Sequence, residues 1–419
     1  VKVLLLNTSD LDGGAARAAY RLHQGLVKAG VNSQMLVQKK IGNHPTIVGP
    51  ISKIQKGLAT IKPSLDIVPQ MLYQKRDRPR NYYSPQWLPD KIAPKIEQIN
   101  PDVINIHWIN GGYIQIETIG KFKKPIVWTL HDMWAFTGGC HYTQDCDRYK
   151  KSCGSCPQLS SNSNWDLSRW VWQRKKRAWK NVNLIVVTPS KWLAECAKSS
   201  SLFSNLKIEV IPNGLDINKY KPIDKKIARN ILGLSLDKKI ILFGAINSTS
   251  SPRKGFNLLQ NALQKLSQEQ EQNKFELVIF GASEPAISPN FGFKTHYLDK
   301  LYDDISLYLI YSAADVFVLP SRQDNLPNTV MEALSCGTPC VGFNIGGMPE
   351  LIEHQHNGYL AEPFNVFDLA KGISWVIENI ERYCQLSLYA RQKVEQEFNL
   401  EIQATKYTQL FQRILSTTG

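Results

Sequence analysis

Short apolar runs alternate with amphipathic stretches along the whole chain, and this alternation restricts the possible folds more than any other feature. "VKVLLLN" comes first, a polar glycine loop follows, and "AARAAYRLHQGLVKAG" then carries apolar residues at helical spacing as far as Gly30. Later runs are "DVINIHW", "PIVWTL" and "NLIVVTPS" in the first half, and "KIILFGA", "FELVIFGA", "DVFVLPS" and "TPCVGF" in the second. The pattern predicts an α/β fold of parallel sheets with helices on both faces. Several runs end in Gly, Ser, Pro or His, where an open parallel sheet places its ligand-binding loops.

A chain of 419 residues is too long for one small core, so two domains are expected. The break falls in "VIPNGLDINKYKP", residues 210–222, where two prolines and Gly214 separate the last strand of one unit from the first helix of the next. The domains are therefore drawn at 1–212 and 213–398, with a final amphipathic helix at 399–419 that could pack on either. A hydrophobic content of 43% is ordinary for a globular protein. No apolar run reaches the roughly 18–20 residues that span a bilayer, and "VKVLLLN" does not read as a signal peptide. These features predict a cytoplasmic protein whose cysteines are thiols or metal ligands.

Charge is uneven. Residues 1–212 hold 30 Lys and Arg against 14 Asp and Glu, whereas residues 213–419 hold 20 against 22. A basic first half points to an anionic partner such as a phospholipid surface or nucleic acid. Two stretches there stand out. "ISKIQKGLATIK" sets Ile51, Ile54, Leu58 and Ile61 at helical spacing among Lys53, Lys56 and Lys62. That pattern suits a helix lying in a membrane interface, but a surface helix that buries its stripe in its own domain is the commoner reading. "RWVWQRKKRAWK", residues 169–180, mixes cations with Trp as some nucleic-acid surfaces do; buried Trp beside solvated Lys is the commoner reading.

Three loops carry candidate chemistry. In "NTSDLDGGAARAAY", Gly13 and Gly14 let a backbone come close at a helix entrance, whose free N–H groups suit an anion. The loop lacks the G-x-G-x-x-G spacing of dinucleotide binders. In "STSSPRKGFNLLQNAL", Arg253 and Lys254 stand between a strand and a helix, a placement suited to a diphosphate. In "PSRQDNLPNTVMEALSCG", a strand ends at Pro320 and a helix begins near Thr329. The entry Asn325–Leu326–Pro327–Asn328–Thr329 would face an anion, while Asp324 and Glu332 could accept hydrogen bonds from sugar hydroxyls. Two carboxylates beside an anion site are costly unless they bind hydroxyls, and a sugar phosphate meets that condition.

At this level of detail the chain resembles the retaining glycosyltransferases of family 4. The family pattern is Glu, seven residues, Glu, after a "PS" strand end; here it reads "PSRQDNLPNTVMEALSCGTPCV", with Asp324 in the first place. "GGMPELI", "HNGYL", "RKGF", "PNGLD" and "HD" extend the likeness over nearly the whole chain. The resemblance implies a GT-B fold, two Rossmann-like domains facing across a cleft, with the C-terminal helix crossing back to the first domain. It implies acceptor binding by the first domain and donor binding by the second. Glu332 would hold the ribose hydroxyls of the nucleotide and Asp324 those of the donor sugar. Arg253 and Lys254 would neutralise the departing diphosphate, and His131 would face the donor sugar. Gly13 and Gly14 would pass close to the donor phosphates and acceptor. The catalytic set so implied is His131, Arg253, Lys254 and Asp324. A UDP- or GDP-linked sugar would be transferred to a glycan or lipid-linked acceptor, without a catalytic metal and without nucleic acid as partner. The Asp at 324 also admits a nucleotide-sugar-binding protein that has lost catalysis, and the basic first half admits a nucleic-acid binder that would leave the second-domain motifs unexplained.

One insertion stands apart. In "CHYTQDCDRYKKSCGSC", residues 140–156, Cys140, Cys146, Cys153 and Cys156 fall within 17 positions. Four such thiols suit a structural Zn2+; unligated buried thiols and an iron–sulfur cluster are the alternatives. Similar insertions after "HDMWAFTGGC" occur in relatives that build exopolysaccharide.

Overall fold

The structure is a computed structural model. It describes every residue except 74–82, 245–248, 250, 270–271, 286–288, 302 and 419, and omits the side chains of 269, 272 and 418. The chain divides into two compact units: Val1–Pro212 together with Gln403–Gly419, and Asn213–Ile402.

The first unit is built on a seven-stranded parallel sheet. Its strands are β1 (Lys2–Ser9), β2 (Asn32–Lys39), β3 (Ile47–Val48), β4 (Val103–Ile106), β5 (Ile126–Thr129), β6 (Leu184–Thr188) and β7 (Lys207–Val210), in the order β3-β2-β1-β4-β5-β6-β7. Val3, Leu4, Leu5 and Leu6 of β1 are all wholly buried, because helices cover both faces of the sheet and leave no polar side. On one face, Val3, Leu5 and Val127 pack with Tyr407, Leu410, Phe411 and Ile414 of the last helix, Leu400–Thr418. The order reverses direction between β1 and β4, which pair directly (Val3 with Val103, Leu6 with Ile106). Loops leaving the carboxyl ends of these two strands bound the crevice where such sheets bind ligands.

The second unit repeats the plan with six parallel strands: β8 (Lys239–Gly244), β9 (Phe275–Phe280), β10 (Lys294–Leu298), β11 (Val316–Leu319), β12 (Cys340–Phe343) and β13 (Gly358–Ala361). Their order is β10-β9-β8-β11-β12-β13, so the reversal lies between β8 and β11. The loops after these two strands lead to Arg253–Lys254 and to Pro320–Asp324. Gly255 closes the first of them with φ +70, and a Cβ there would lie 1.9 Å from the Pro320 carbonyl oxygen. Only glycine lets the two loops touch.

Two basic stretches differ from the commoner reading of each. The helix Lys53–Asp66 starts from a Ser52/Gln55 capping box, so the local sequence specifies a helix. Its apolar stripe is not buried in its own unit: Ile51 is 86% exposed, Ile54 76%, Leu58 54% and Ile61 52%. In the helix Leu167–Ala178, Trp172 is buried as expected, but so is Lys175, entirely. Its ammonium donates to the carbonyls of Trp134 and Thr137 and lies 3.6 Å from the centre of the Trp134 ring. That cation is a structural clamp, not part of a solvated face.

Candidate active site

In the second unit the two loops bring three predicted residues into one contact group. Asp324 Oδ2 accepts from Lys254 Nζ at 2.7 Å and from Ser321 Oγ at 3.1 Å, and Arg253 Nη1 lies 3.1 Å from the same oxygen. Arg253 Nη1 also donates to the Gln323 carbonyl, and the Arg322 N–H donates to the Arg253 carbonyl, so backbone as well as charge holds the loops together. Burial alone would raise the Asp324 carboxyl, but the adjoining Lys254 and Arg253 outweigh it and hold it well below the usual carboxylate range. Burial lowers Lys254 from the ordinary lysine value, with Asp324 opposing. Two cations and one carboxylate leave a net positive charge in a largely dry place, which is what a diphosphate requires.

The helix Asn328–Ser335 begins right after this group, with Pro327 before it and no side chain capping its N-terminus. Asp324, Asn325, Leu326 and Pro327 are buried, so the entry is a packed ledge and less open than the sequence suggests. Thr329 Oγ1 is buried there without a hydrogen-bond partner among the described residues. Asn213, from "PNGLD", donates to Asn328 Oδ1 at 3.3 Å. Glu332 is 2% exposed and accepts from Tyr311 OH at 3.0 Å; burial and this carboxylate push the Tyr311 phenol well above its ordinary value. Neither Tyr311 nor Ser321 was singled out from the sequence.

In the first unit, Gly13 caps the helix Gly14–Lys28 with φ +106 and open space where a Cβ would sit. Backbone conformation therefore demands glycine there, not crowding. No acidic residue occupies the first turn of that helix. His131 follows β5 and is partly exposed. With His107, Trp108, Asn110 and Asp132 it lines a pocket at the carboxyl ends of β4 and β5. His131 Nε2 lies 2.9 Å from His107 Nδ1. Burial lowers His131 to about 4, with Asp132 opposing, and burial takes His107 well below the ordinary histidine value. Asp132 accepts from the Trp134 N–H and from Trp108 Nε1, and pairs with His141 Nδ1 at 2.7 Å. Burial acts upward on Asp132, but His141 and these donors leave it below its usual value. His107 and His141 were missed by the sequence reading; "HD" marked only the outer pair of this cluster.

Cys140, Cys153 and Cys156 are buried and Cys146 is partly so. Burial pushes the Cys153 thiol up to about 12 and the Cys156 thiol up to about 11. The Gly138 N–H donates to Cys153 Sγ at 3.1 Å. Among the described residues no group of three or more His, Cys, Asp or Glu side chains is gathered so as to hold a metal ion. The zinc expected from the spacing thus finds four neighbouring thiols, but not a closed ligand set.

Two family models cover most of this architecture. The first unit matches Glycosyltransferase Family 4 over residues 12–219, and the second matches Glycosyl transferases group 1 over residues 237–379. The chain is a glycosyltransferase of this two-domain type. A putative colanic acid biosynthesis glycosyl transferase, WcaC of Escherichia coli K12, is 23% identical over 84% of this chain and 85% of its own. An uncharacterized glycosyltransferase of Haemophilus influenzae is 40% identical, but only over 20% of this chain and 24% of its own length. Sucrose-phosphate synthase of Thermosynechococcus elongatus superposes with a TM-score of 0.70 over the whole of both chains at 18% identity. Anabaena Alr3699/HepE, solved in complex with UDP-glucose, does so with a TM-score of 0.64 over 99% of each chain at 16% identity. The fold of this glycosyltransferase is GT-B, two Rossmann-like units each with a parallel sheet.

Proposed function

We propose that this glycosyltransferase moves a sugar from a UDP- or GDP-linked donor to a glycan or lipid-linked acceptor in cell-surface polysaccharide synthesis, with retention at the anomeric carbon. The observation that carries the reading is the Arg253–Lys254–Asp324 group at the reversal point of the second sheet. Its net positive charge suits a diphosphate, and the buried Thr329 hydroxyl supplies a further donor at the same ledge. An acceptor hydroxyl oxygen would attack the anomeric carbon as the bond from that carbon to the diphosphate oxygen breaks. The leaving diphosphate would take the hydroxyl proton, and Arg253 and Lys254 would stabilise its developing charge. Asp324 would exchange a cation contact for the donor-sugar hydroxyls, Glu332 would take the ribose, and His131 would face the sugar. The backbone at Gly13 and Gly14 would lie beside the donor phosphates and acceptor. Asp324 and Glu332 are binders in this scheme, not a hydrolase acid and nucleophile.

A thermal-shift screen of nucleotide sugars, followed by NMR of the product's anomeric centre, tests the reading. A donor that stabilises the protein and is transferred with retention supports it. Inversion would remove the retaining step. Stabilisation without turnover on a broad acceptor panel would favour the alternative of a binding protein, which the engagement of Asp324 by both cations also suits.

Two further points belong to the same proposal. A cytoplasmic enzyme acting on a lipid-linked acceptor would rest against an anionic membrane, and the exposed stripe Ile51–Ile54–Leu58–Ile61 beside Lys53 and Lys56 supports this. A structural Zn2+ on Cys140, Cys146, Cys153 and Cys156 is supported by three thiols buried in one loop, although as placed they do not enclose an ion. Elemental analysis decides it: about one zinc per chain supports the site, and a metal-free active preparation removes it.

A further inference from the structure

His131 belongs to a chain of buried hydrogen bonds whose proton positions can be assigned one by one. Asn105, wholly buried on β4, directs Nδ2 at the Val127 carbonyl at 3.0 Å and at Thr129 Oγ1 at 3.0 Å. A carbonyl only accepts, so the amide nitrogen must face it and the amide oxygen must face the other way. That oxygen lies 3.0 Å from His107 Nε2, which therefore carries a proton and donates. His107 is 3% exposed and among the described residues bonds to no carboxylate, so its second nitrogen, Nδ1, keeps a lone pair. The group 2.9 Å from that lone pair is His131 Nε2, which must donate in turn. The far end is also tied, since Thr129 Oγ1 bonds Tyr407 OH at 2.8 Å.

We propose that Asn105, acting through His107, fixes the proton of His131 on Nε2, so that in the sugar site His131 is a hydrogen-bond acceptor at Nδ1 and never the proton donor. Asn105 and His107 are positioning residues: they touch no substrate but set which edge of the His131 ring carries a hydrogen. The Nδ1 edge then selects a donor group such as a sugar hydroxyl. The ring is also removed from proton transfer, which leaves the acceptor proton to the departing diphosphate. Asp132 accepts from Trp108 and Trp134 and pairs with His141, while His131 Nε2 is directed at His107 Nδ1. The assignment of a role to Nδ1 rests on the proposed placement of His131 beside the donor sugar; the tautomer itself does not.

The two parts are therefore read separately. NMR of the 15N-histidine-labelled full chain, with His131 assigned from a His131→Asn sample, should show at pH 7 a protonated Nε2 and an unprotonated Nδ1. A protonated Nδ1 would overturn the proposal. Asn105→Asp should charge His107, make its Nδ1–H the donor, and flip His131 to the Nδ1–H form. Donor turnover should fall about tenfold, the worth of one hydrogen bond. A folded Asn105→Asp protein with an unchanged tautomer would overturn the role of Asn105. If that variant does not fold, His107→Leu serves: loss of the single tautomer supports the relay, and its persistence overturns it. If the tautomer is as assigned but His131→Ala transfers sugar at the wild-type rate, the placement of His131 fails and takes the Nδ1 role with it.

Discussion

Lys254 Nζ stands 2.7 Å from Asp324 Oδ2, with the side chains only 12% and 8% exposed. The loops that carry these residues come from opposite sides of the reversal point of the second sheet. A buried pair of this kind is costly to break from one side. Asp324→Asn should leave Lys254 and Arg253 facing each other and destabilise the protein by about 3–5 kcal/mol, read as a fall in the urea midpoint. Lys254→Ala should cut turnover by about 100-fold or more, as the loss of a group that stabilises developing charge does. Wild-type turnover in that variant would remove the cation from the site.

Glu332 bears on the donor. Replacing it by Gln keeps its shape and its bond to Tyr311 but substitutes a neutral amide for a charged acceptor. Nucleotide-sugar affinity should weaken by about 1.5–3 kcal/mol, the value of hydrogen bonds to a charged group. Tyr311→Phe is the control for packing, and it should change donor affinity less. Calorimetric titration with the donor found by screening reads both.

Acid should destabilise the first unit through its histidines. His23, bonded to Ser33 and Thr46, is lowered to about 4 by burial and by His44, and His131 to a similar value by burial. Both must stay neutral when folded but protonate near 6.5 when unfolded, so the stability they contribute is complete above pH 6.5. It is lost as pH falls toward 4. Between pH 7 and 5 the loss is on the order of 1–2 kcal/mol for each. Asp66 acts in the opposite sense. Burial raises it to about 6, so its contribution is lost as pH rises through 6 and returns on acidification, offsetting on the order of 1 kcal/mol. Urea titrations at pH 7 and pH 5 should show the net fall, and equal midpoints would refute it.

The exposed helix Lys53–Asp66 should govern membrane attachment. Co-sedimentation with anionic vesicles should be strong at low salt and fall as salt rises, because each cation near such a surface contributes on the order of 1 kcal/mol. Changing Lys53 and Lys56 to Glu should reduce binding without altering donor affinity. So should changing Ile54 and Leu58 to Ser, since they are exposed and hold up no core. Equal binding to neutral and anionic vesicles, or to neither, would mean a soluble acceptor.

The alternation of apolar runs and helical patterns was enough to identify two parallel-sheet units, because period and strand length are local properties of the chain. Arg253, Lys254, Asp324 and Glu332 could be singled out as candidates for a related reason: each sits in a short loop or helix start whose glycines and prolines mark a strand end. Local sequence could not say that Asp324 takes both cations, because the contact joins residues seventy positions apart through the pairing of β8 with β11. Nor could it reveal the burial of Lys175 or the exposure of the Ile54 stripe. His107 and Asn105 look like ordinary strand residues in "DVINIHW". Only the register of β4 against β5 sets them between His131 and Thr129, and only the packing of the last helix brings Tyr407 to the end of that chain. Strands and loops follow from side-chain periodicity and backbone freedom. The charge state and proton position of each group depend on which distant residues exclude water from it.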